Sequence, residues 1–248
     1  MASLSNLNLQ GVTLTPKFIF GVRGDVPSSL FTVDDRNLLY IAGHNVVQYN
    51  IDEKRQGFTP GSESSDGINF ITVSSCKRFL AVCERGEVKA TVTIHDFKSP
   101  KVKILPENEY AHEHYTSKEF LSCAFSPKNT KQNLMTLCGD PDWCILFWQW
   151  DQFKVLSKLK INPLLIEEQI LSCQTWQCSM VNMGSELMAV VTGPNCYRMI
   201  DVDDNFAGAR IKVAEVDTSA NTEEIEEVPG FGSKVSTNYT SHCWTIDT

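Results

Sequence analysis

An all-β chain built as a WD-repeat β-propeller is what this sequence predicts, and three observations carry that expectation. Between Glu119 and Lys160 four short apolar runs follow one another with turn residues between them, the length and content of one propeller blade. The third run closes on Trp150-Asp151, the pair that names WD repeats. An Asp ends an apolar run again at Ile51-Asp52, His95-Asp96 and Ile200-Asp201, at intervals of about 44 to 55 residues, and the turn after a first strand recurs at Ser74-Ser75-Cys76-Lys77 and Ser126-Pro127-Lys128-Asn129. A β-sandwich also has short strands and regular turns, but the recurrence of Asp in phase with the turn favours a repeat.

Taken in order, residues 1–16 carry Ser, Asn and Gly with no sustained period and read as a loose arm, and Phe18-Ile19-Phe20 is a short strand candidate before Gly21. The first blade, at 29–59, has strands at Leu30–Val33, Leu38–Ala42 and Asn45–Asn50 and an outer strand at Gln56–Thr59. The second, at 68–105, has strands at Asn69–Val73, Phe79–Glu84, Ala90–Asp96 and Lys101–Leu105, and a polar connection follows it from Glu107 to Lys118. The third, at 119–161, has Phe120–Phe125, Asn133–Cys138, Cys144–Trp150 and Lys154–Lys160. Its turn Gly139-Asp140-Pro141-Asp142 is favoured because Pro sets φ and Asp bonds the nearby backbone. The fourth, at 169–214, is read as Ile170–Trp176, Leu187–Thr192, Tyr197–Val202 and Arg210–Ala214. Residues 215–236 are rich in Glu and Asp and read as an acidic flexible loop. Within 237–248, Tyr239–Ile246 suits the first strand of a fifth blade, or a strand that pairs with Phe18–Phe20 to close a small ring. About four blades plus one strand fall short of the common WD-repeat ring, so the expectation is an incomplete N-terminal portion of a larger propeller.

Composition narrows the function classes. At 248 residues, 42% hydrophobic and 21% charged, the chain has the make-up of a globular protein with a sizeable core. Its formal net charge of −8 argues against nucleic-acid binding, which needs a basic stripe to neutralise phosphates. No apolar run approaches the roughly 20 residues that span a bilayer, and the N-terminus lacks the pattern of a signal peptide. The expectation is a cytoplasmic protein with no membrane partner. Nine cysteines, among them Cys123, Cys138, Cys144, Cys173 and Cys196 in presumed strands, behave as small hydrophobes and suit a reducing compartment.

Each candidate site has a plainer reading beside it. Gly43-His44 is favoured as a tight turn between strands. His112-Glu113-His114 offers metal ligands at alternate positions but has no third and fourth ligand in sequence, so an exposed loop is favoured; Cys173 and Cys178 lack zinc-knuckle spacing. Asp140 and Asp142 read as turn residues. No phosphate loop, nucleophile elbow or paired acidic motif occurs in a strand-to-helix context, so no catalytic, cofactor or metal residue and no small-molecule substrate are expected, and the protein is read as a non-enzyme. Lys98, Lys101 and Lys103, and Lys154, Lys158 and Lys160, fall on outer strands, where lysine deters edge pairing; the alternative is a basic rim for an acidic surface such as tubulin. Trp143, Trp148 and Trp150 are expected in the core or upper rim, with one of them a possible exposed anchor for a partner.

Phe20-Gly21-Val22-Arg23, then Ala42-Gly43-His44-Asn45-Val46-Val47-Gln48-Tyr49-Asn50, then Phe58-Thr59-Pro60-Gly61-Ser62 resemble the opening of the cilia- and flagella-associated protein 57 family, also called WD-repeat protein 65. Ala124-Phe125-Ser126-Pro127 and Trp148-Gln149-Trp150 fit its later blades but are common to WD repeats in general. The resemblance implies a scaffold of the ciliary or flagellar axoneme that helps to seat inner dynein arms on doublet microtubules through protein partners. Members of that family are similar in having two propellers and a long coiled coil; this sequence departs from that plan, with neither a second propeller nor a heptad region. A cytoplasmic adaptor in a complex such as a ubiquitin ligase is the other reading.

Overall fold

In the computed structural model the described residues are 8–9, 12–13, 16–26, 29–106, 114–128, 131–161, 176–183, 186–193, 196–202, 212–214 and 241–244. They form four four-stranded antiparallel sheets in chain order, a β-propeller-like arrangement with no α-helix among the described residues. A short antiparallel pair, β1 (Asn8–Leu9) with β2 (Val12–Thr13), precedes them in the segment read as a loose arm.

The first sheet is β3 (Leu30–Thr32), β4 (Asn37–Ala42), β5 (Asn45–Asn50) and β6 (Arg55–Pro60). The second is β7 (Ser65–Val73), β8 (Phe79–Gly86), β9 (Thr91–Asp96) and β10 (Ser99–Leu105). The third is β11 (Phe120–Phe125), β12 (Asn133–Cys138), β13 (Cys144–Gln149) and β14 (Lys154–Lys160). The fourth is β15 (Gln177–Met183), β16 (Glu186–Gly193), β17 (Cys196–Val202) and β18 (Lys212–Ala214). In every sheet each strand pairs with the next in sequence. Gly43-His44 is the tight turn of one such pair: Ala42 pairs with Asn45, and Gly43 takes φ +59°, where a Cβ is costly.

The same backbone bonds recur from sheet to sheet. After the first strand, Val33, Ser74 and Ser126 each donate N–H to the carbonyl of the residue that opens the second strand, at 3.0, 2.9 and 3.0 Å. After the third strand, Ile51, Phe97 and Trp150 donate to the carbonyls of Arg36, Arg78 and Gln132 at 2.8, 3.0 and 2.7 Å. The Asp residues in phase also have a role: Asp52 meets Arg36 Nε at 3.3 Å, and Asp96 takes two bonds from Arg78 at 2.9 and 2.6 Å. The Arg78 guanidinium holds the Asp96 carboxyl down at about 2. In the third sheet Gln132 stands in the arginine's place, and Lys103 Nζ instead reaches the Asp151 carbonyl at 2.6 Å from the second sheet.

Packing explains why β12 and β13 are apolar at successive positions rather than alternate ones. Leu134, Cys138, Cys144, Leu146 and Trp148 face the second sheet with Phe79, Cys83 and Val92, while Met135, Leu137, Ile145 and Phe147 face the fourth with Ala189, Val191 and Ile200. Alternate side chains point to opposite faces, and here both faces are covered. A third cluster, with Leu39, Ile41, Ile71 and Leu80, joins the first sheet to the second. Trp148 is fully enclosed, and its Nε1 donates to Thr136 Oγ1 at 2.8 Å.

Four expectations need correction. The first strand of the fourth sheet is Gln177–Met183, not Ile170–Trp176; Trp176 lies before the strand with its ring in the core, and 170–175 lie outside the described residues. Trp150 is not in a strand: the chain turns into a short 3-10 segment, Trp150–Gln152, which folds the indole inward against Phe79. Phe18-Ile19-Phe20 is not a strand either, because the Gln56 side-chain amide takes the place of a backbone partner. It accepts from Ile19 N at 2.7 Å and donates to Ile19 O at 3.0 Å. Ser241–Trp244, inside the expected strand Tyr239–Ile246, is extended without strand pairing and is tied by side chains to the face of the fourth sheet turned away from the third.

Replacing Trp148 by Ala is expected to destabilise the chain by about 3–5 kcal/mol in urea unfolding, through lost burial and a cavity between the second and third sheets. Trp148→Phe, which fills most of the space but leaves Thr136 without its donor, is expected to cost about 1–3 kcal/mol. Equal costs for the two would show that the hydrogen bond, and not the packing, holds the pair.

Candidate functional site at the ends of the first strands

The first strands β7, β11 and β15 lie side by side, and two cavities lie along the first strands. One, of about 290 Å³, is lined mainly by apolar side chains such as Phe31, Phe70 and Met180 and by the hydroxyl residues Thr72, Ser75 and Ser179. The other, of about 390 Å³, lies where the first strands begin and is lined by charged residues and two tryptophans. Only the second offers convergent polar groups, so it is the candidate site.

Its walls come from the second and third sheets and from the segments that lead into the first and fourth. Arg23 precedes β3, Asp66 and Asn69 lie on β7, Arg85 on β8, Glu119 just before β11, Asp140 and Trp143 in the hairpin between β12 and β13, and Trp176 before β15. Arg23 is engaged: Nη1 donates to Ile68 O at 2.7 Å, and Nε and Nη2 hold Asp25 in a forked pair. That pair raises the Arg23 pKa and lowers that of Asp25. Asp66, Arg85, Glu119 and Asp140 make no side-chain hydrogen bond or ion pair with the described residues. Asn69 Nδ2 donates to Phe120 O at 2.7 Å, whereas its buried Oδ1 has no partner among them.

Trp143 and Trp176, 7% and 4% exposed, form one wall with ring centroids 5.6 Å apart. Gly193 makes room for this wall, because a Cβ there would stand 2.4 Å from the Trp176 ring. Trp143 takes φ +41°, a left-handed conformation that a bulky residue adopts only when its surroundings impose it. What imposes it is visible: Trp143 N donates to Gly139 O at 3.1 Å, its carbonyl accepts from Ile161 N at 2.9 Å, and its indole is packed.

Asp142 anchors the same hairpin. Its Oδ2 accepts from Ser117 N at 2.7 Å, Ser117 Oγ at 2.8 Å, Thr116 Oγ1 at 3.1 Å and Thr116 N, and Lys158 Nζ lies 3.7 Å from Oδ1. Burial pushes its pKa up, but the bonds from Thr116 and Ser117 outweigh it and hold the carboxyl below its ordinary range. Sequence reasoning took Asp142 for a turn residue. The signal that it is more lies 25 residues upstream, in donors that only folding brings near.

A second polar cluster joins the first two sheets. Glu84, 1% exposed, accepts from Ser62 N at 2.6 Å, Ser65 Oγ at 2.9 Å and Thr93 Oγ1 at 3.2 Å, and Ser65 Oγ also meets His44 Nε2 at 2.8 Å. A serine, a histidine and a carboxylate are thus together, but the serine hydroxyl donates to the carboxylate and not to the histidine. That order ties sheets together and does not activate a nucleophile.

The remaining candidates are placed as follows. His114 is exposed and its carbonyl accepts from Lys158 Nζ at 2.6 Å; His112, Glu113 and Cys173 lie outside the described residues. Cys178 is buried, which pushes its pKa up to about 12, and burial raises Cys123 and Cys138 as well. Of the lysines read as lying on outer strands, Lys103 is turned onto the neighbouring third sheet, over the Trp150 and Phe153 rings, while Lys158 turns onto its own sheet, to His114 and Asp142. Lys101, Lys154 and Lys160 are exposed on their outer strands, and Lys98, expected on one, is exposed in the turn between β9 and β10. None of Trp143, Trp148 and Trp150 is an exposed anchor, since all three are buried.

No protein-family model matches the chain. It is 27% identical over 236 residues to cilia- and flagella-associated protein 57 of Mus musculus, covering 92% of this chain and 16% of that protein. It is 30% identical over 138 residues to cilia- and flagella-associated protein 57 C of Tetrahymena thermophila, covering 55% of this chain and 11% of that protein. Over 149 residues it is 29% identical to cilia- and flagella-associated protein 44 of Mus musculus, covering 59% and 7%. The chain therefore spans a small part of the length of the relatives it matches. A solved structure of a protein of unknown function from Bacteroides thetaiotaomicron aligns with a TM-score of 0.47 at 9% identity, over 71% of this chain and 40% of that one.

Asp142→Asn is expected to destabilise the chain by about 1.5–3 kcal/mol at pH 7, the range for hydrogen bonds to a charged group. Because the folded pKa lies below the unfolded one, this contribution is complete above the unfolded carboxylate value and is lost as pH falls through the depressed folded value. Urea unfolding of the two chains should therefore converge in strong acid; a difference that persists there would assign the cost to shape and not charge.

Proposed function

Because this chain belongs to the cilia- and flagella-associated protein 57 family, we propose that it is a non-enzymatic WD-repeat β-propeller scaffold of the ciliary or flagellar axoneme, which binds protein partners and helps to hold inner dynein arms on doublet microtubules. The observation that carries this reading is the relation to the mouse protein over 92% of the chain. The recurrent turn and Asp bonds of the first three sheets support WD-repeat blades at about 29–59, 68–105 and 119–161, and the fourth sheet has the same strand order. The polar clusters at Glu84 and Asp142 fit a scaffold, since their bonds hold sheets and a hairpin in place.

The test is fractionation of ciliated cells expressing the tagged chain. It is expected to remain with detergent-extracted axonemes and to leave them together with dynein when salt is raised. Recovery in the soluble cytoplasmic fraction with ubiquitin-ligase subunits, and no ciliary protein, would overturn the axonemal reading in favour of a cytoplasmic adaptor.

A further inference from the structure

We propose that the charged cavity at the start of the first strands is a receptor for a basic side chain, an arginine or lysine that a partner polypeptide inserts beside Trp143 and Trp176. This names the group that the partner presents, and it rests on the reading of the chain as a protein-binding scaffold.

Charge comes first. Arg23 and Asp25 neutralise each other in their forked pair. The carboxylates of Asp66, Glu119 and Asp140 remain, against the single guanidinium of Arg85, and none of the four is bonded to a described side chain. Among the described residues the cavity thus carries an excess of negative charge that is not compensated. An anionic ligand would be repelled, and an apolar one would strip water from three carboxylates with nothing in return. A cation meets both requirements.

The wall decides what kind of cation. Trp143 and Trp176 line the cavity with the small part of their rings that packing leaves uncovered, and an ammonium or guanidinium is attracted to an indole by its quadrupole, most strongly for Trp. The aliphatic stem of Arg or Lys suits the apolar wall while its head reaches the carboxylates. The partnerless Asn69 Oδ1 adds an acceptor at the same wall, available to a ligand donor when the side chain turns. A volume of about 390 Å³ holds one long side chain and part of the peptide that carries it, and is too small for a folded element.

The site is also held in shape. Asp140 and Trp143 lie on the hairpin that Asp142 fastens to Thr116 and Ser117, and Trp143 is kept in its left-handed conformation by bonds at both its N–H and its carbonyl. A ligand therefore pays little to order these groups.

The experiment uses the purified 248-residue chain and short fluorescent peptides of Gly and Ser with a central Arg, Lys, Gln or Glu, followed by anisotropy and by tryptophan emission. Arg and Lys peptides are expected to bind at least tenfold more tightly than Gln, with an affinity that falls as salt rises and a change in tryptophan emission. The combined Glu119→Gln and Asp140→Asn chain is expected to lose that preference while keeping its melting temperature; if it does not fold, Asp66→Asn alone serves. Equal binding of all peptides, preference for Glu, or no binding at millimolar peptide would overturn the proposal. Axoneme fractionation of the same variants separates the two readings. A wild-type chain that stays on axonemes yet ignores the peptides refutes the pocket alone, whereas one that prefers Arg and Lys peptides yet leaves axonemes refutes the axonemal assignment alone.

Discussion

Face-to-face contact between successive sheets is the constraint on which the remaining structure depends. A four-stranded antiparallel meander has two faces and only enough chain to make its own hydrogen bonds. The second and third sheets bury both faces, one against each neighbour, so the apolar area of any one sheet is covered only when the others are present. Stability is then shared along the series, and a change in one contact such as Phe79 against Trp150 is felt in two sheets at once.

Polar groups at these interfaces are matched and not avoided. Glu84 is enclosed between the first and second sheets, where an unpaired carboxylate would be costly, and its three donors come from Ser62, Ser65 and Thr93. Tyr115 likewise packs its ring on Phe120 and sends its hydroxyl to the Ala90 carbonyl at 2.7 Å, crossing from the third sheet to the second. Such bonds favour one register over its neighbours, because a shift of one residue turns every side chain to the wrong face. The same rigidity presents the hairpin from Gly139 to Trp143 in one conformation at the cavity.

Much of the strand pattern was legible in the chain. Asn45–Asn50, Phe120–Phe125, Asn133–Cys138 and Lys154–Lys160 have the bounds expected from runs of branched and aromatic residues between Gly, Pro, Ser and Asp. The pattern at Phe18–Phe20 looks like a strand locally, but strand pairing needs free backbone groups on a neighbouring edge. At Ile19 a side-chain amide takes the backbone groups instead. The candidate cavity was less legible. Asp140, Asp142 and Trp143 drew attention only as a turn with an aromatic after it, and Arg23, Asp66, Arg85, Glu119 and Trp176 gave no signal, because each stands alone in sequence.

What the sequence determined by itself is therefore local and periodic: an all-β chain, the strands and turns of the first three sheets, the recurrence of Asp in phase with them, and a motif resemblance that the relatives bear out. Each of these is encoded within a few residues or within one repeat. The tertiary structure decided which side chains meet. It turned Trp143, Trp148 and Trp150 inward, spent Lys103 on the neighbouring sheet and Lys158 on the segment that leads into its own, and brought charges from Arg23 to Asp140 around one cavity. The physical reason is that contacts between sheets join residues 20 to 60 or more apart, as Asn69 to Phe120 and Cys178 to Ser122 do, and no local pattern states which of the possible partners will be adjacent once the faces are packed.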